Sequence, residues 1–412
     1  MQKKADQKPN VILICADQMR ADCIVSAGHP VIQTPYLNQL CMRGTRFDRA
    51  YAACPSCVPA RASLYTGLNQ RTHGRVGYQD AVPWNYPVTL AGEFSKNGYQ
   101  TQAIGKMHVY PERSLMGFHN VVLHDGYLHV ARSQNARNLE MIDDYIPWLS
   151  KQLGRQADYF EHGLNCNSYT ARPWDKEEYL HPTNFIVHEA IKFLKERDET
   201  KPFMLYLSFH RPHPPLDPPA WAFEQYMNIK MPPPPVGKWT EMLKPWHQNH
   251  APDLSCGILT EEQLRRARAG YYGHITHMDH QINRFLEILH EFGVAQNSYV
   301  CFLADHGDML GDHNLYRKSL PYEGSARVPL IISGPGIKRN CASKELIELS
   351  DVMPTLLECA DLPIPESIEG HSFLPLAKGE KANGERQFVH GEHPIFMGGG
   401  MQYIVKDSYK YI

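Results

Sequence analysis

The chain has 412 residues, 42 Lys and Arg against 44 Asp and Glu, and a formal net charge of −2. That length leaves room for two or three domains. The balanced charge gives no basic field for nucleic acid or an acidic membrane surface. No run approaches the roughly 20 apolar residues that span a bilayer, and ten cysteines at scattered spacings do not form a disulfide framework. The start, Met1–Asn10, is positively charged but runs straight into a short apolar strand, which is not a signal peptide. The expected location is cytoplasmic, or periplasmic or secreted if a leader has been removed.

In chain order, Asn10–Ala16 is a continuous apolar run suited to a strand buried on both faces, and it ends at Asp17-Gln18. Thr34 (N-cap), Pro35 (first turn) and Gly44 (past the end) bracket a helix. A second helix is predicted to begin at Arg61 and close at Gly67. Tyr99–Ile104 is the next strand, followed by Gly105-Lys106-Met107-His108. Thr183 caps a helix through Leu194, and strand Pro202–Phe209 ends at His210-Arg211-Pro212-His213. The Pro-rich stretch from Pro212 to Pro235, interrupted by Trp221, Phe223 and Tyr226, reads as an ordered excursion. Its aromatics are expected to pack under the loop rather than line a carbohydrate pocket. A long helix over Glu261–Phe292 precedes strand Tyr299–Ala304, which ends at Asp305-His306; Val328–Ile332 is a fifth strand and Leu349–Ala360 a helix.

Strand, polar tip and helix in repetition predict an α/β fold: a mostly parallel central sheet sandwiched by helices. From about Arg386 short strands around Gly398-Gly399-Gly400 predict a small antiparallel α+β subdomain. The division is therefore a catalytic α/β domain over 1–380 and the start of a C-terminal subdomain over 381–412, with a natural C-terminus expected beyond Ile412.

Four strand tips bring polar groups to one sheet edge, where ligands of open α/β sheets bind: Asp17/Gln18, Lys106/His108, His213 and Asp305/His306. Asp17 and Asp305 carry the charge a divalent cation requires, Gln18 offers a carbonyl oxygen, and His306 an imidazole better suited to Mn²⁺ or Zn²⁺ than to Ca²⁺. Cys54-Pro55-Ser56-Cys57-Val58-Pro59-Ala60-Arg61 adds a reactive sulfur and a basic residue one helical turn on. Together these point to a hydrolytic metal site. Cys54 and Cys57 also form a C-x-x-C pair, but a Pro-rich loop leading to Arg61 fits a redox role poorly.

These segments resemble type I sulfatases of the alkaline phosphatase superfamily. Cys57-Val58-Pro59-Ala60-Arg61 matches the family's C-x-P-x-R element and Ser63–Gly67 the segment after it. Gly105–His108 is similar to its G-K-x-H, Pro212–Pro215 to its P-H-x-P, and Asp305–His313 through Lys318 to its second metal segment and downstream lysine. Asp351–Glu358 is a further match, and the set runs in family order over roughly residues 8–375.

The resemblance implies that a maturation enzyme oxidises Cys57 to formylglycine; Cys54 lacks the proline and arginine at the required spacing. One hydroxyl of the hydrated aldehyde would attack sulfur, and the other would allow the aldehyde to re-form and release sulfate. It implies one divalent metal at Asp17, Gln18, Cys57, Asp305 and His306, with Ca²⁺ the leading identity and Mn²⁺ or Mg²⁺ the alternatives. Arg61 would hold the diol, Lys106 and Lys318 the sulfate oxygens, His108 would be the base and His213 the acid. The implied reaction is hydrolysis of a sulfate monoester of a sugar or other small alcohol. The Asp17-Gln18 and Asp305-His306 pairs depart from the commoner acid–acid and Asp-Asn versions. They resemble the branch with choline sulfatases and phosphonate monoester hydrolases, so phosphonate or phosphodiester hydrolysis is the alternative. A catalytically silent protein that binds sulfated glycans is a third reading.

Among the remaining candidates, His313, Asp308 and Asp312 read as loop-ordering groups, and Glu323 with Arg327 as an ion pair. His181, His210 and Arg211 are possible substrate contacts. His274, His277 and His280 share part of a helix face without an evident carboxylate partner and read as structural.

Overall fold

The structure, a computed structural model, describes residues 8–126, 139–158, 160–248, 251–381, 386–396 and 399–412. Its centre is a nine-stranded sheet: β1 (Asn10–Asp17), β2 (Gly44–Tyr51), β3 (Gln100–Gly105), β4 (Asn120–Leu123), β5 (Phe203–Pro212), β6 (Ser298–Ala304), β7 (Arg327–Val328), β8 (Leu330–Ser333) and β9 (Cys341–Glu348). The order is β4-β3-β5-β1-β6-β8-β2-β7, with β9 also paired to β2. β4, β3, β5, β1 and β6 are mutually parallel. β8 runs antiparallel to β6 and to β2, while β9 is parallel to β2. The sheet is thus mostly parallel and mixed at one end.

Every residue of β1, β5 and β6 is buried. Leu13 pairs with Tyr206 on one side and Cys301 on the other, so the apolar runs read from sequence lie side by side at the sheet's centre. Strands covered on both faces need such continuous hydrophobicity. The register slips between Ala16 and Asp17, so that Ala16 pairs with Phe209 but Asp17 with Pro212. Irregularities of this kind re-aim a side chain at the end of a strand, and here the residue concerned is Asp17.

Helices flank the sheet in two packed groups. α1 (Pro35–Arg43), Pro182–Glu196, Ala220–Met227 and the 31-residue helix Glu261–Glu291 pack together. The long helix opens with a capping box, Thr260 and Gln263 each satisfying the other's backbone N–H. The second group holds α2 (Cys57–Thr66), Leu90–Lys96 and Val352–Cys359. A separate antiparallel sheet, β10 (Phe388–Phe396), β11 (Gly399–Lys406) and β12 (Tyr409–Tyr411), follows. It is tied to the rest through Tyr403, whose hydroxyl donates to the Ala52 carbonyl at 2.7 Å. No helix among the described residues is long and apolar enough to cross a membrane.

Three elements differ from the sequence reading. The second helix begins at Cys57, not Arg61, with Ser56 at its N-cap, where its side chain makes no capping hydrogen bond. Val328–Ile332 is broken at Pro329, which separates β7 from β8 because proline cannot donate to a ladder. Trp221, expected to pack, instead lies at the surface and donates to Glu178 at 2.9 Å, whereas Phe223 and Tyr226 on the same helix, Ala220–Met227, are packed as expected.

One fold contact has a pH signature. Asp279, buried on the long helix, accepts the N–H groups of Leu37 (2.6 Å) and Tyr36 (3.1 Å) at the start of α1. Burial outweighs those bonds and pushes its carboxyl up to about 7. A carboxyl whose folded value is raised favours the fold at low pH and loses that contribution as pH rises from its unfolded value through its folded one. Asp279→Asn is therefore expected to flatten the dependence of thermal unfolding on pH between about 4 and 7, an effect on the order of 1–4 kcal/mol. Unfolding midpoints across that range check it; an unchanged slope contradicts it.

Candidate active site

The sheet's architecture brings the carboxyl ends of β1, β3, β5 and β6 together, and α2 points its N-terminus at them. Cys57 is the first residue of α2, and all ten residues of that helix are buried. The Cys57 sulfur lies 3.1 Å from His306 Nε2 and 3.8 Å from Asp17 Oδ1. Burial and the Asp17 charge push its thiol up, but Lys318, Lys106 and His306 outweigh them and hold it well below its usual value. A helix N-terminus adds to that effect.

Arg61, one turn further along α2, is wholly buried. Its Nε donates to Asp305 Oδ2 at 2.9 Å, and its NH1 to the Lys106 carbonyl (2.9 Å), Tyr206 OH (2.8 Å) and Ser208 Oγ (3.0 Å). Lys106 reaches the site because Gly105 ends β3 at φ +98°, where a Cβ would lie 1.9 Å from the Ser208 carbonyl oxygen. Its ammonium pairs with Asp17. Burial opposes the Asp17 charge less than Lys106, His213 and Lys318 favour it, so that carboxyl sits well below the usual range. Asp305 goes the other way: burial, then the Asp17 charge, raise it.

His306 donates from Nδ1 to the Gly307 carbonyl at 2.9 Å, which leaves Nε2 as the ring nitrogen facing Cys57, Asp17 and Asp305. This is the orientation a metal-ligating histidine needs. Ligand atoms of Asp17, Cys57, Asp305 and His306 all lie within 4.8 Å of one another. Two carboxylates and an imidazole so oriented fit a divalent cation. Gln18 lies beside this set. Its carbonyl accepts from Lys318 at 2.6 Å, its amide donates to Asp308 at 2.5 Å, and its backbone N–H donates to Asp305 Oδ1 at 3.1 Å.

His213 is buried with Nδ1 on the Pro214 carbonyl at 2.9 Å; burial, then Lys318, push it well below its ordinary value. His108, at φ +55°, is held by its backbone N–H on Asp125 Oδ1 and lies 3.4 Å from Asp80 Oδ1. Burial and Lys106 oppose its charge, but hydrogen bonds with Asp80 and Cys57 raise it overall. The structure thus gathers Asp17, Gln18, Cys57, Arg61, Lys106, His108, His213, Asp305, His306 and Lys318 at one end of the sheet. Asp80, Asp125, Tyr206 and Ser208 join them with no sequence signal of their own; Tyr206 and Ser208 are ordinary members of an apolar strand.

The loop-ordering expectation describes Asp308, Asp312 and His313 well. Asp308 takes Tyr169 OH, Leu310 N and Arg317 N besides Gln18, Asp312 pairs with Arg20 at 2.9 Å, and His313 accepts Gly237 N. Glu323 and Arg327 pair at 3.1 Å. The expectation that the long helix's histidines lack carboxylates needs correction: His274 lies 3.2 Å from Asp217 and His277 3.5 Å from Glu178. Those acids are 57 and 99 residues away in sequence, too far for spacing to show. Ligand atoms of His181, Asp217 and His274 also lie within 4.8 Å, but a metal fits poorly there. His181 Nδ1 accepts Thr183 N–H, which keeps the ring proton on Nε2, and Arg211 already neutralises Asp217 at 2.7 Å.

A buried sulfur, a cation-binding trio and three positive side chains at the carboxyl end of a parallel sheet define a metal-assisted hydrolase of an anionic ester. The comparisons with known proteins agree. The sulfatase family profile matches residues 9–362. An arylsulfatase of Clostridium perfringens (strain 13 / Type A) is 49% identical over 98% of this chain and 85% of its own length. Arylsulfatase K of Rattus norvegicus is 29% identical over 94% of this chain and 66% of its own length. The solved phosphonate monoester hydrolase of Agrobacterium radiobacter superposes with a TM-score of 0.78 at 25% identity, covering 98% of this chain and 87% of that one. The chain belongs to the sulfatase family, within the alkaline phosphatase superfamily, and is a sulfuric ester hydrolase.

Gly105 supplies a test of how the site is built. Gly105→Ala must push β3 away from the Ser208 carbonyl and adopt an unfavourable φ. The expected outcome is a loss of sulfatase activity of more than about 100-fold, since displacements near 1 Å cost that much. Unfolding should also come several degrees lower. Parent-like kinetics would contradict this placement of Lys106.

Proposed function

We propose that this sulfatase hydrolyses a sulfate monoester of a sugar or other small alcohol by means of a formylglycine formed from Cys57 by a maturation enzyme. The observation that carries the reading is Cys57 itself: first residue of α2, buried, 3.1 Å from His306 and within the charge fields of Lys318 and Lys106. The hydrated aldehyde would supply the attacking hydroxyl and a second hydroxyl through which sulfate is released.

A divalent cation, Ca²⁺ with Mn²⁺ or Mg²⁺ as alternatives, would be held by Asp17, Asp305 and His306 and would supply Lewis acidity at that hydroxyl. Gln18, bridging Lys318 and Asp308, orients Lys318 and stands ready as a further oxygen ligand. Lys106 and Lys318 offer charge to the sulfate oxygens, where it accumulates in the transition state. Arg61 fixes the helix that carries residue 57 against Asp305 and balances charge beneath it. His108, raised and beside Asp80, takes and returns a proton at residue 57. His213 faces the leaving oxygen; a bound anionic ester, by adding negative charge beside it, would lift its depressed value toward the range of an acid.

A second reading has its own support. His306 in the cation set and the likeness to the Agrobacterium phosphonate monoester hydrolase favour phosphonate or phosphodiester hydrolysis on the same scaffold. A silent glycan-binding role accounts for none of the clustered Cys57, Arg61, Lys106, His108 and His213.

The test is the rate of release of 4-nitrophenol from its sulfate and from its phenylphosphonate ester, in the parent and in Cys57→Ala. Preference for the sulfate, lost by more than about 1,000-fold in the variant, is the expected result. Preference for the phosphonate selects the second reading, and full activity in Cys57→Ala overturns both.

A further inference from the structure

His210, the last residue but two of β5, is buried at 1% exposure. Arg211 NH1 lies 2.7 Å from its Nδ1. A guanidinium can only donate, so Nδ1 is the acceptor and the ring proton resides on Nε2. That Nε2–H has no hydrogen-bond partner among the described residues. A buried donor left without an acceptor is costly enough to ask what it serves.

Its surroundings answer. A ring nitrogen of His210 lies within 4.8 Å of a ring nitrogen of His213 and of a carboxylate oxygen of Asp17. Asp17 is also a member of the Cys57–Asp305–His306 set, so it is the vertex shared by the two clusters. The His210 and His213 rings lie 4.9 Å apart and tilted by 33°. Gly126 packs on the His210 ring so tightly that a Cβ there would lie 2.4 Å from Cγ and Nδ1. Behind the ring, Arg211 NH2 donates to Asp217 Oδ1 at 2.7 Å, and Asp217 is held in turn by His162 at 2.9 Å. The ring is clamped, its tautomer is set, and its one open donor belongs to a residue at the edge of the site.

We propose that His210 is a further catalytic residue, donating Nε2–H to an oxygen of the bound sulfate ester, with Arg211 and Asp217 as the positioning pair that fixes its tautomer. This rests on the sulfate-ester reading of the same site. A neutral donor complements the charges of Lys106 and Lys318: it adds direction without adding charge.

The experiment compares the parent with His210→Leu, His210→Gln and Arg211→Met, using 4-nitrophenyl sulfate turnover, inhibition by inorganic sulfate, and calorimetric titration of inorganic sulfate without turnover. His210→Leu is expected to lose about 10- to 100-fold in kcat/KM, as for removal of one oxyanion donor, and to bind inorganic sulfate more weakly. His210→Gln, whose amide N–H reaches a similar point, should recover most of both, and Arg211→Met should fall between. Should the leucine variant fail to fold, His210→Met serves as the donor-less comparison. Equal impairment in the leucine and glutamine variants, or parent-like kinetics and sulfate binding in the leucine variant, overturns the proposal. A parent that binds sulfate but does not turn over the ester counts against the sulfate-ester reading instead, and the binding comparison still decides the role of His210.

Discussion

The buried guanidinium of Arg61 is the tie on which the site depends. From α2 it reaches Asp305 at the end of β6, the carbonyl of Lys106 at the end of β3, and Tyr206 and Ser208 on β5. One side chain therefore sets the distance between the helix that carries Cys57 and three of the four strands that supply its partners. A guanidinium stripped of water needs partners for its donors; four bonds engage Nε and NH1, while NH2 has none among the described residues. Taking it away would strip Asp305, buried beside Asp17, of its guanidinium partner, a change that costs about 3–5 kcal/mol in comparable buried pairs. An arginine is suited to this place because its rigid fork spans several acceptors at once, which a lysine ammonium on a flexible stem cannot do.

The same crowding explains the electrostatics. Asp17 and Asp305 are wholly buried neighbours, and their carboxyls are driven apart, Asp17 down by Lys106 and Asp305 up by burial and by Asp17. Like charges held this close resist simultaneous ionisation, and a divalent cation between them would relieve that conflict. The ring of His306, oriented by the Gly307 carbonyl, already turns toward that position the nitrogen such an ion requires.

Much of this was legible in the sequence, and the reasons are physical. β1, β5 and β6 are covered on both faces, so their apolar runs and polar tips stand out, and every residue named from those tips lies at the same sheet edge. β2, β4 and β9 were not read as strands. β2 is interrupted by Arg46, Asp48 and Arg49, which are only half-buried, and β9 alternates exposed and half-buried residues along Cys341–Glu345. Both belong to the mixed end of the sheet, where one face meets solvent and the continuous hydrophobic signal is lost. The partners of buried histidines were also illegible. Asp217 for His274 and Asp80 for His108 depend on how loops fold back, and no local pattern encodes that.

The central claim is that Cys57 is the precursor of the nucleophile. Its most direct test is the mass of the tryptic peptide Ala50–Arg61 from protein made in its native host. The account predicts that sulfur is lost from residue 57 and replaced by an aldehyde, seen directly or as an adduct with an aldehyde reagent. A peptide that carries an unmodified thiol at residue 57 while the protein turns over sulfate esters at full rate would contradict it.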